Sequence, residues 1–219
     1  MRASDVFSFF LYEDQTAPFF HVASPTGEAP RRLDLDTVVG HINSDFAIGG
    51  RYLSYSSDWD IHLYDHTTGR DENLTRSDSV WEQFSALDGD RVVYIDHRTR
   101  DPADYNNANV WLLDLVTRER TAITSQPAQP PAQRFSPAVG GDWILWEDTR
   151  DQPDPQPGIR SAPYRNLYGY NLRTRREVAL VPGTFHSGYP LIVGNRLYYS
   201  CAPTRGSRIG TYVMDLPPG

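Results

Sequence analysis

The sequence predicts an all-β protein, a β-propeller of about five four-stranded antiparallel blades whose terminal blades are incomplete. Three observations support this prediction. One pattern of residues occurs five times, each copy divides into four strand-like segments, and 16 glycines and 17 prolines supply turns between them. We expect a single domain over residues 1–219, with blades near residues 4–36, 44–76, 82–125, 134–182 and 187–216.

The four segments of each copy differ in composition. The first is a short aliphatic run that ends at Gly-Asp or Gly-Gly, a tight-turn signal because glycine adopts positive φ easily. The second is almost continuously apolar, as at residues 143–146, which is typical of a strand packed on both faces. The third alternates between apolar and polar residues and ends at Asp or Asn before a turn. The fourth is polar and is expected to face outward. Four antiparallel strands of this kind form one propeller blade.

An aromatic residue recurs at one position of the second strand in every copy. These residues are Tyr12, Tyr55, Tyr94, Trp146 and Tyr199. We expect them in the core between blades, because large aromatic side chains dominate core burial. Cys201, the single cysteine, also falls in a second strand, where we expect a small core residue.

The repeated pattern as a whole resembles the TolB-type, WD40-like β-propeller repeats of bacterial and archaeal proteins. The residues that carry the resemblance read SPAVGGDWILWEDTR at 136–150 and NLYGYNL at 166–172. The resemblance covers residues 4–216 and implies a propeller, a bacterial source and a location outside the cytoplasm. It implies no single activity, because this superfold hosts binding modules, scaffolds and enzymes. Residues 1–5 lack the apolar core of a signal peptide, which leaves the compartment open between an intracellular protein and a processed exported one.

The composition argues against several classes of function. All 21 basic residues are arginine, so chemistry that depends on a lysine Schiff base or a lysine phosphate loop is excluded. The net charge of −7 without a basic stripe argues against a nucleic-acid partner, and no apolar run is long enough to span a membrane. His62 and His66 lack a third ligand, and the calcium-like start at residues 58–60 lacks its glycine and distal glutamate. We therefore predict no metal and no cofactor.

Long loops between the second and third strands are the candidate partner-binding region. Loops of this length in a compact domain are usually functional or disordered, and arginine and tyrosine are enriched at interface hot spots. The candidate residues are Arg98, Arg100, Tyr105, Arg150, Arg160, Tyr164, Arg165, Arg205 and Arg208. As an alternative, Arg98 and Arg150 pair with Asp96 and Asp148 of their own blades and only hold the loops. We predict a non-catalytic binding or scaffolding propeller that engages a protein, or a glycan, through this face.

An enzyme is the alternative interpretation. Propellers that hydrolyse glycosides need two or three carboxylates around a central funnel. The candidates at the starts of the innermost strands are Asp45 and Glu82, with His186 in the fourth connection. Gln133 and Arg134 occupy the corresponding place in blade four, so the set is incomplete.

The incomplete terminal blades suggest a further kind of contact. Unpaired strand edges can template association with another chain. We therefore expect blades one and five to offer edges for self-association.

Overall fold

The computed structural model of the chain describes residues 8–14, 17–23, 31–32, 46–97, 107–124, 132–151, 164–184 and 186–218, the first three segments as backbone alone. Eighteen strands occur in this part of the chain. Those of blades one and two are β1 (Ser8–Asp14), β2 (Ala17–Ala23), β3 (Arg31–Arg32), β4 (Phe46–Gly49), β5 (Tyr52–Ser57), β6 (Asp60–Asp65) and β7 (Arg70–Asn73). Those of blade three are β8 (Glu82–Asp88), β9 (Arg91–Asp96), β10 (Asn109–Asp114) and β11 (Arg120–Ala122). Those of blades four and five are β12 (Arg134–Gly140), β13 (Trp143–Asp148), β14 (Asn166–Asn171), β15 (Arg176–Val181), β16 (His186–Val193), β17 (Arg196–Ala202) and β18 (Gly210–Asp215).

The strands form five antiparallel sheets in which neighbours in sequence are neighbours in space. Three sheets have four strands, in the orders β4-β5-β6-β7, β8-β9-β10-β11 and β12-β13-β14-β15. The first and last sheets, β1-β2-β3 and β16-β17-β18, have three described strands each. This arrangement confirms the predicted all-β propeller of antiparallel blades, with three strands described in each terminal blade. Within the described residues there is no helix long and apolar enough to cross a membrane.

Glycine occupies the first position of the turn between the first and second strands. Gly50, Gly89, Gly141 and Gly194 have φ of +58°, +59°, +56° and +61°. The left-handed region is open to glycine without steric penalty, so these tight turns form where the sequence predicts them.

A β-bulge recurs in the innermost strands of blades three to five. Phe84, Ser136 and Tyr189 occupy equivalent positions and have φ of +53°, +44° and +52°. The pairing register shifts at the same points, between Gln83 and Ala86 in blade three and at the equivalent places in blades four and five. A bulge of this kind re-aims the residues next to it. It therefore sets the direction of the side chains that precede it in these three innermost strands.

Aromatic and aliphatic side chains fill the spaces between blades. Tyr55, Tyr94 and Trp146 are completely buried, and Tyr199 packs against the cluster between blades four and five. Cys201 is buried as well. The burial of Tyr55, Tyr94 and Trp146 and the packing of the half-buried Tyr199 confirm the predicted place of these four aromatics in the core.

The face of blade five that is turned away from blade four is more exposed than the corresponding faces of blades three and four. Leu191, Tyr198 and Val213 form a cross-strand row on this open face of blade five, opposite the residues that pack on blade four. Leu191 is 58% exposed and Val213 55% exposed. Val93 and Leu145, which are equivalent to Tyr198 in blades three and four, are fully buried. Nothing in the described residues covers this apolar face.

Candidate functional site

The ends of the second strands, from which the second-to-third-strand loops leave, lie on the same face of the molecule as the starts of the innermost strands. The antiparallel pairs Glu82 with Asp96 and Arg134 with Asp148 place the start of an innermost strand beside the end of a second strand. We call this side the loop face: it comprises the starts of β8, β12 and β16, the ends of β5, β9, β13 and β17, and the described residues that adjoin them. The topology thus brings the attachment points of the predicted binding loops to a common side.

A network of buried charges underlies the loop face in blade four. Oδ2 of Asp148 accepts hydrogen bonds from Nε of Arg134 at 3.0 Å, Nη2 of Arg150 at 2.6 Å and Nε1 of Trp146 at 2.9 Å. Burial would raise the pKa of Asp148, but the hydrogen bond from Arg150 and the charges of both arginines more than offset it and lower the pKa. Arg150 also pairs with Glu177 and lies over the Tyr168 ring, 4.1 Å from its centroid. The alternative pairing of Arg150 with Asp148 is therefore present.

Arg165 is held inside the protein in a similar way. Its Nη1 donates to Oε2 of Glu147 at 2.6 Å, and its guanidinium lies 4.1 Å from the centroid of the Phe135 ring. The other oxygen of Glu147, Oε1, accepts the backbone N–H of Tyr189 at 2.8 Å, at the bulge of blade five. Glu147 is fully buried and therefore links the loop face of blade four to the innermost strand of blade five.

Arg205 and Arg208 behave differently. Both are exposed, and neither pairs with a carboxylate among the described residues. Arg205, Tyr164 and Asp151 line a cavity of about 360 Å³ between the loops of blades four and five. Oδ2 of Asp151 accepts hydrogen bonds from the Tyr168 hydroxyl at 2.7 Å and from Asn166 Nδ2 at 2.9 Å, which fixes one wall of this cavity. Of the other predicted partner-binding residues, Arg98, Arg100, Tyr105 and Arg160 lie outside the described residues.

Glu82 is placed between blades two and three and not in the central cavity. It is 1% exposed, and its Oε1 accepts a hydrogen bond from Nη2 of Arg120 at 2.9 Å. The Arg120 guanidinium reaches it across the rings of Trp111 and Tyr94, at 5.3 and 5.5 Å from their centroids. Burial raises the pKa of Glu82 to about 7, despite a hydrogen bond from Thr75 and the charge of Arg120.

The central cavity has a volume of about 650 Å³ and is lined by the innermost strands of blades two to five. Asp88 is the one carboxylate among its described lining residues. Asp45 lies outside the described residues, and His186 lies near Glu147 and Arg165. Burial and the charge of Arg165 lower the pKa of His186, and Glu147 offsets part of this shift. The described residues therefore do not assemble the carboxylate pair that glycoside hydrolysis requires.

An aromatic corner on the loop face was not predicted from the sequence. Trp59 is 37% exposed and packs edge-on against Trp81, with ring centroids 4.7 Å apart. Asp58 and Trp59 form the two-residue turn between β5 and β6, and both have positive φ, +50° and +73°. Asp60 accepts hydrogen bonds from Asn73 Nδ2 at 2.7 Å and Ser77 N at 2.9 Å, so it serves the fold as a turn anchor. The spacing of two residues between the paired strands could have indicated this tight turn in the sequence. The two residues are Asp-Trp, however, and not the Asn-Gly that usually marks such a turn.

Metal ligands do not cluster in the part of the chain that is described. No group of three or more His, Cys, Asp or Glu side chains there is placed to hold an ion.

Comparison with known proteins establishes the class of fold. No protein-family model matches the sequence, and no match was found among curated proteins. The structure is similar to that of a protein assigned as TolB from Agrobacterium tumefaciens, with a TM-score of 0.67 and 13% identity over 96% of this chain and 77% of that one. The fold is thus a TolB-like β-propeller.

Enzymes contain similar structures. Oligogalacturonate lyase from Vibrio parahaemolyticus matches with a TM-score of 0.59 and 12% identity, over 97% of this chain and 62% of that one. Acylaminoacyl peptidase from Pyrococcus horikoshii matches with a TM-score of 0.59 and 13% identity, over 98% of this chain and 37% of that one. The chain therefore spans less than two thirds of either enzyme. At these identities the likeness concerns the fold alone.

Proposed function

We propose that this chain is a non-catalytic binding propeller that engages a partner protein through its loop face. The observation that carries the proposal is the division of the described loop arginines into two kinds. Arg150 and Arg165 are engaged in internal ion pairs, whereas Arg205 and Arg208 are exposed and have no described carboxylate partner. Internal pairing explains the first two as parts of the fold. It leaves the second two for an acidic ligand.

The surroundings of Arg205 support a contact site. Arg205 shares a cavity with the half-buried Tyr164, and arginine and tyrosine are the residue types that dominate interface energetics. Arginine also binds carboxylates in a planar, bidentate geometry that lysine cannot reproduce. We therefore expect an acidic segment of the partner at this end of the loop face. A glycan remains the alternative ligand.

A pull-down from source-cell extract tests the proposal. The bait is the wild-type chain, beside a double variant that carries Arg205→Ala and Arg208→Ala. The matched control is Arg176→Ala, an exposed arginine at the start of β15, on the side opposite the loop face. We expect the double variant to lose a stoichiometric partner that the wild type and the control retain. Equal recovery by all three baits would contradict the proposal, and capture of oligosaccharide without protein would favour a glycan ligand.

We also propose that blade five takes part in self-association. The open face of blade five displays Leu191 and Val213, and exposed apolar surface of this kind marks interaction sites. In addition, β18 has no fourth strand beside it within the described residues, unlike β6, β10 and β14. A free strand edge beside an apolar face suits a second copy of the chain, because both features can be shared between copies.

A further inference from the structure

We propose that Trp59 and Trp81, together with Asp58 of the same turn as Trp59, form a docking site on the loop face for a cationic side chain of the partner protein. The inference deepens the proposed function and rests on it, because it assigns a chemistry to a second part of the same face.

The rings of His97, Trp81 and Trp59 contact one another in turn, and this row, called the stack below, leads from the interior to solvent. His97 is 1% exposed, and its ring centroid lies 5.2 Å from that of Trp81. Trp81 is half-buried, and Trp59 packs on it with an interplanar angle of 85°. Trp59 is the outermost member and keeps more than a third of its surface open. The stack therefore presents an indole ring that is supported from below.

Backbone hydrogen bonds fix both tryptophans in place. The Glu82 N–H donates to the Trp59 carbonyl at 2.8 Å, and the His97 N–H donates to the Trp81 carbonyl at 2.9 Å. The first of these bonds ties the turn of blade two to the first strand of blade three. A two-residue turn with positive φ at both positions favours Asn and Gly, yet this turn carries Asp58 and Trp59. The exposed indole is thus pre-organised, which reduces the entropy lost on binding.

The charges around the stack favour a cation. Asp58 is exposed and forms no ion pair within the described residues. Some other surface carboxylates have arginine partners: Glu72 lies 3.0 Å from Arg118, and Asp215 lies 3.3 Å from Arg196.

A cationic side chain would use both features of this corner. A guanidinium or ammonium group over an indole face is attracted by the ring quadrupole, and tryptophan is the most effective ring. The neighbouring Asp58 carboxylate adds a Coulomb attraction and would repel an anion. The other end of the loop face carries Arg205 and Arg208, so the described part of the face has an acidic residue at one end and basic residues at the other. A partner with the opposite arrangement would dock in one orientation.

The experiment follows the indole N–H signals of the ¹⁵N-labelled chain by NMR. The probe is N-acetyl-Gly-Arg-Gly-amide, and its matched control contains citrulline, a neutral isostere, in place of arginine. We expect the arginine peptide to shift the Trp59 signal saturably and the citrulline peptide to bind about fivefold more weakly. Asp58→Asn should weaken the arginine peptide about threefold. Asp142→Asn, which changes an exposed carboxylate on the opposite side, should leave it unchanged. The indole N–H signal that is missing from the spectrum of Trp59→Leu is the signal of Trp59. This variant should show no saturable shift with the arginine peptide.

Three results would overturn the inference: equal affinity for the two peptides, no saturable shift with either, or a saturable shift by neutral maltotriose that the arginine peptide does not reproduce. The proposed function and the cation site can fail independently of each other. If Arg205 and Arg208 prove irrelevant to partner capture but the peptides are discriminated, the loop-arginine proposal fails and the cation site stands. If partner capture depends on those arginines and the peptides bind alike, only the cation site fails.

Discussion

Arg134 donates its Nε–H to Oδ2 of Asp148 across 3.0 Å, with both side chains at most 1% exposed. The pair joins the first and second strands of blade four and lies directly beneath Arg150, which shares the same carboxylate oxygen. A second guanidinium bond of Arg134 reaches the backbone carbonyl of Ala108, next to β10 of blade three. The pair therefore ties two blades together at the base of the loop face.

We predict that Arg134→Met destabilises the protein strongly. Loss of one partner leaves the Asp148 carboxylate buried with less compensation, which costs about 3–5 kcal/mol for such pairs. The measurement is the free energy of unfolding in urea. Arg173→Met is the control, because Arg173 and Asp142 form an exposed pair at 3.7 Å that contributes about 0–1 kcal/mol. Similar losses in both variants would contradict the structural importance of the buried pair.

We predict that Glu82→Gln changes how stability depends on pH. The pKa of Glu82 is raised from 4.5 to about 7 in the folded protein, so the folded state holds this proton more tightly than the unfolded state does. Below pH 4.5 both states are protonated. As the pH rises from 4.5 through 7, wild type loses stability relative to the variant, by about 3 kcal/mol in total.

Urea denaturation of both proteins at pH 5 and pH 8 checks this prediction. The stability of Glu82→Gln relative to wild type should increase between the two values. Glu72→Gln, a change at a partly exposed carboxylate paired with Arg118, serves as the control. A difference between wild type and Glu82→Gln that does not vary with pH would show that the buried carboxyl titrates normally.

We predict that the loop arginines separate into structural and binding residues when they are replaced. Arg165→Ala should lower the free energy of unfolding by about 3 kcal/mol, because Glu147 would remain buried without its cationic partner. Arg205→Ala should change it by less than about 0.5 kcal/mol. Thermal and urea unfolding measure both. Comparable destabilisation by Arg205→Ala would mean that Arg205 is part of the fold.

A triple variant carrying Arg100→Ala, Arg160→Ala and Arg205→Ala extends the test to the predicted residues outside the described ranges. We expect it to fold with the stability of wild type and to lose the captured partner protein. Stability is measured by urea unfolding and partner recovery by pull-down. Unchanged recovery would refute a binding role for these three arginines together.

We predict concentration-dependent association of the wild-type chain through blade five. Size-exclusion chromatography with light scattering should show a mass that rises with concentration. Val213→Glu should abolish the rise, because it places a charge in the cross-strand row with Leu191 and Tyr198. The control is Val116→Glu, at a residue 74% exposed in the turn after β10. A wild-type chain that stays monomeric at all concentrations would refute self-association.

The sequence by itself determined the repeat architecture. Strand periodicity, the glycine turns at Gly89 and Gly141, and the buried aromatics Tyr94 and Trp146 were predicted because they depend on residues close together in the chain. The common face of the binding loops was also predictable, since it follows from the antiparallel order of four strands. Trp59 was missed, because its exposure depends on a turn whose residues do not carry the usual signal.

Only the tertiary structure decided which charged residues remain available. Glu147 binds both Arg165 and the backbone of Tyr189, which lies 42 residues further along the chain. Glu82 pairs with Arg120, 38 residues away, and its carboxylate therefore lies outside the central cavity. Arg150 and Arg205 look alike as loop arginines, but Arg150 pairs with Asp148 beside it and with Glu177 of β15, whereas Arg205 pairs with no carboxylate among the described residues. The availability of a charge depends on contacts between segments distant in sequence, and these form only when the strands of a blade pair and, for Glu147 and Tyr189, when two blades pack together.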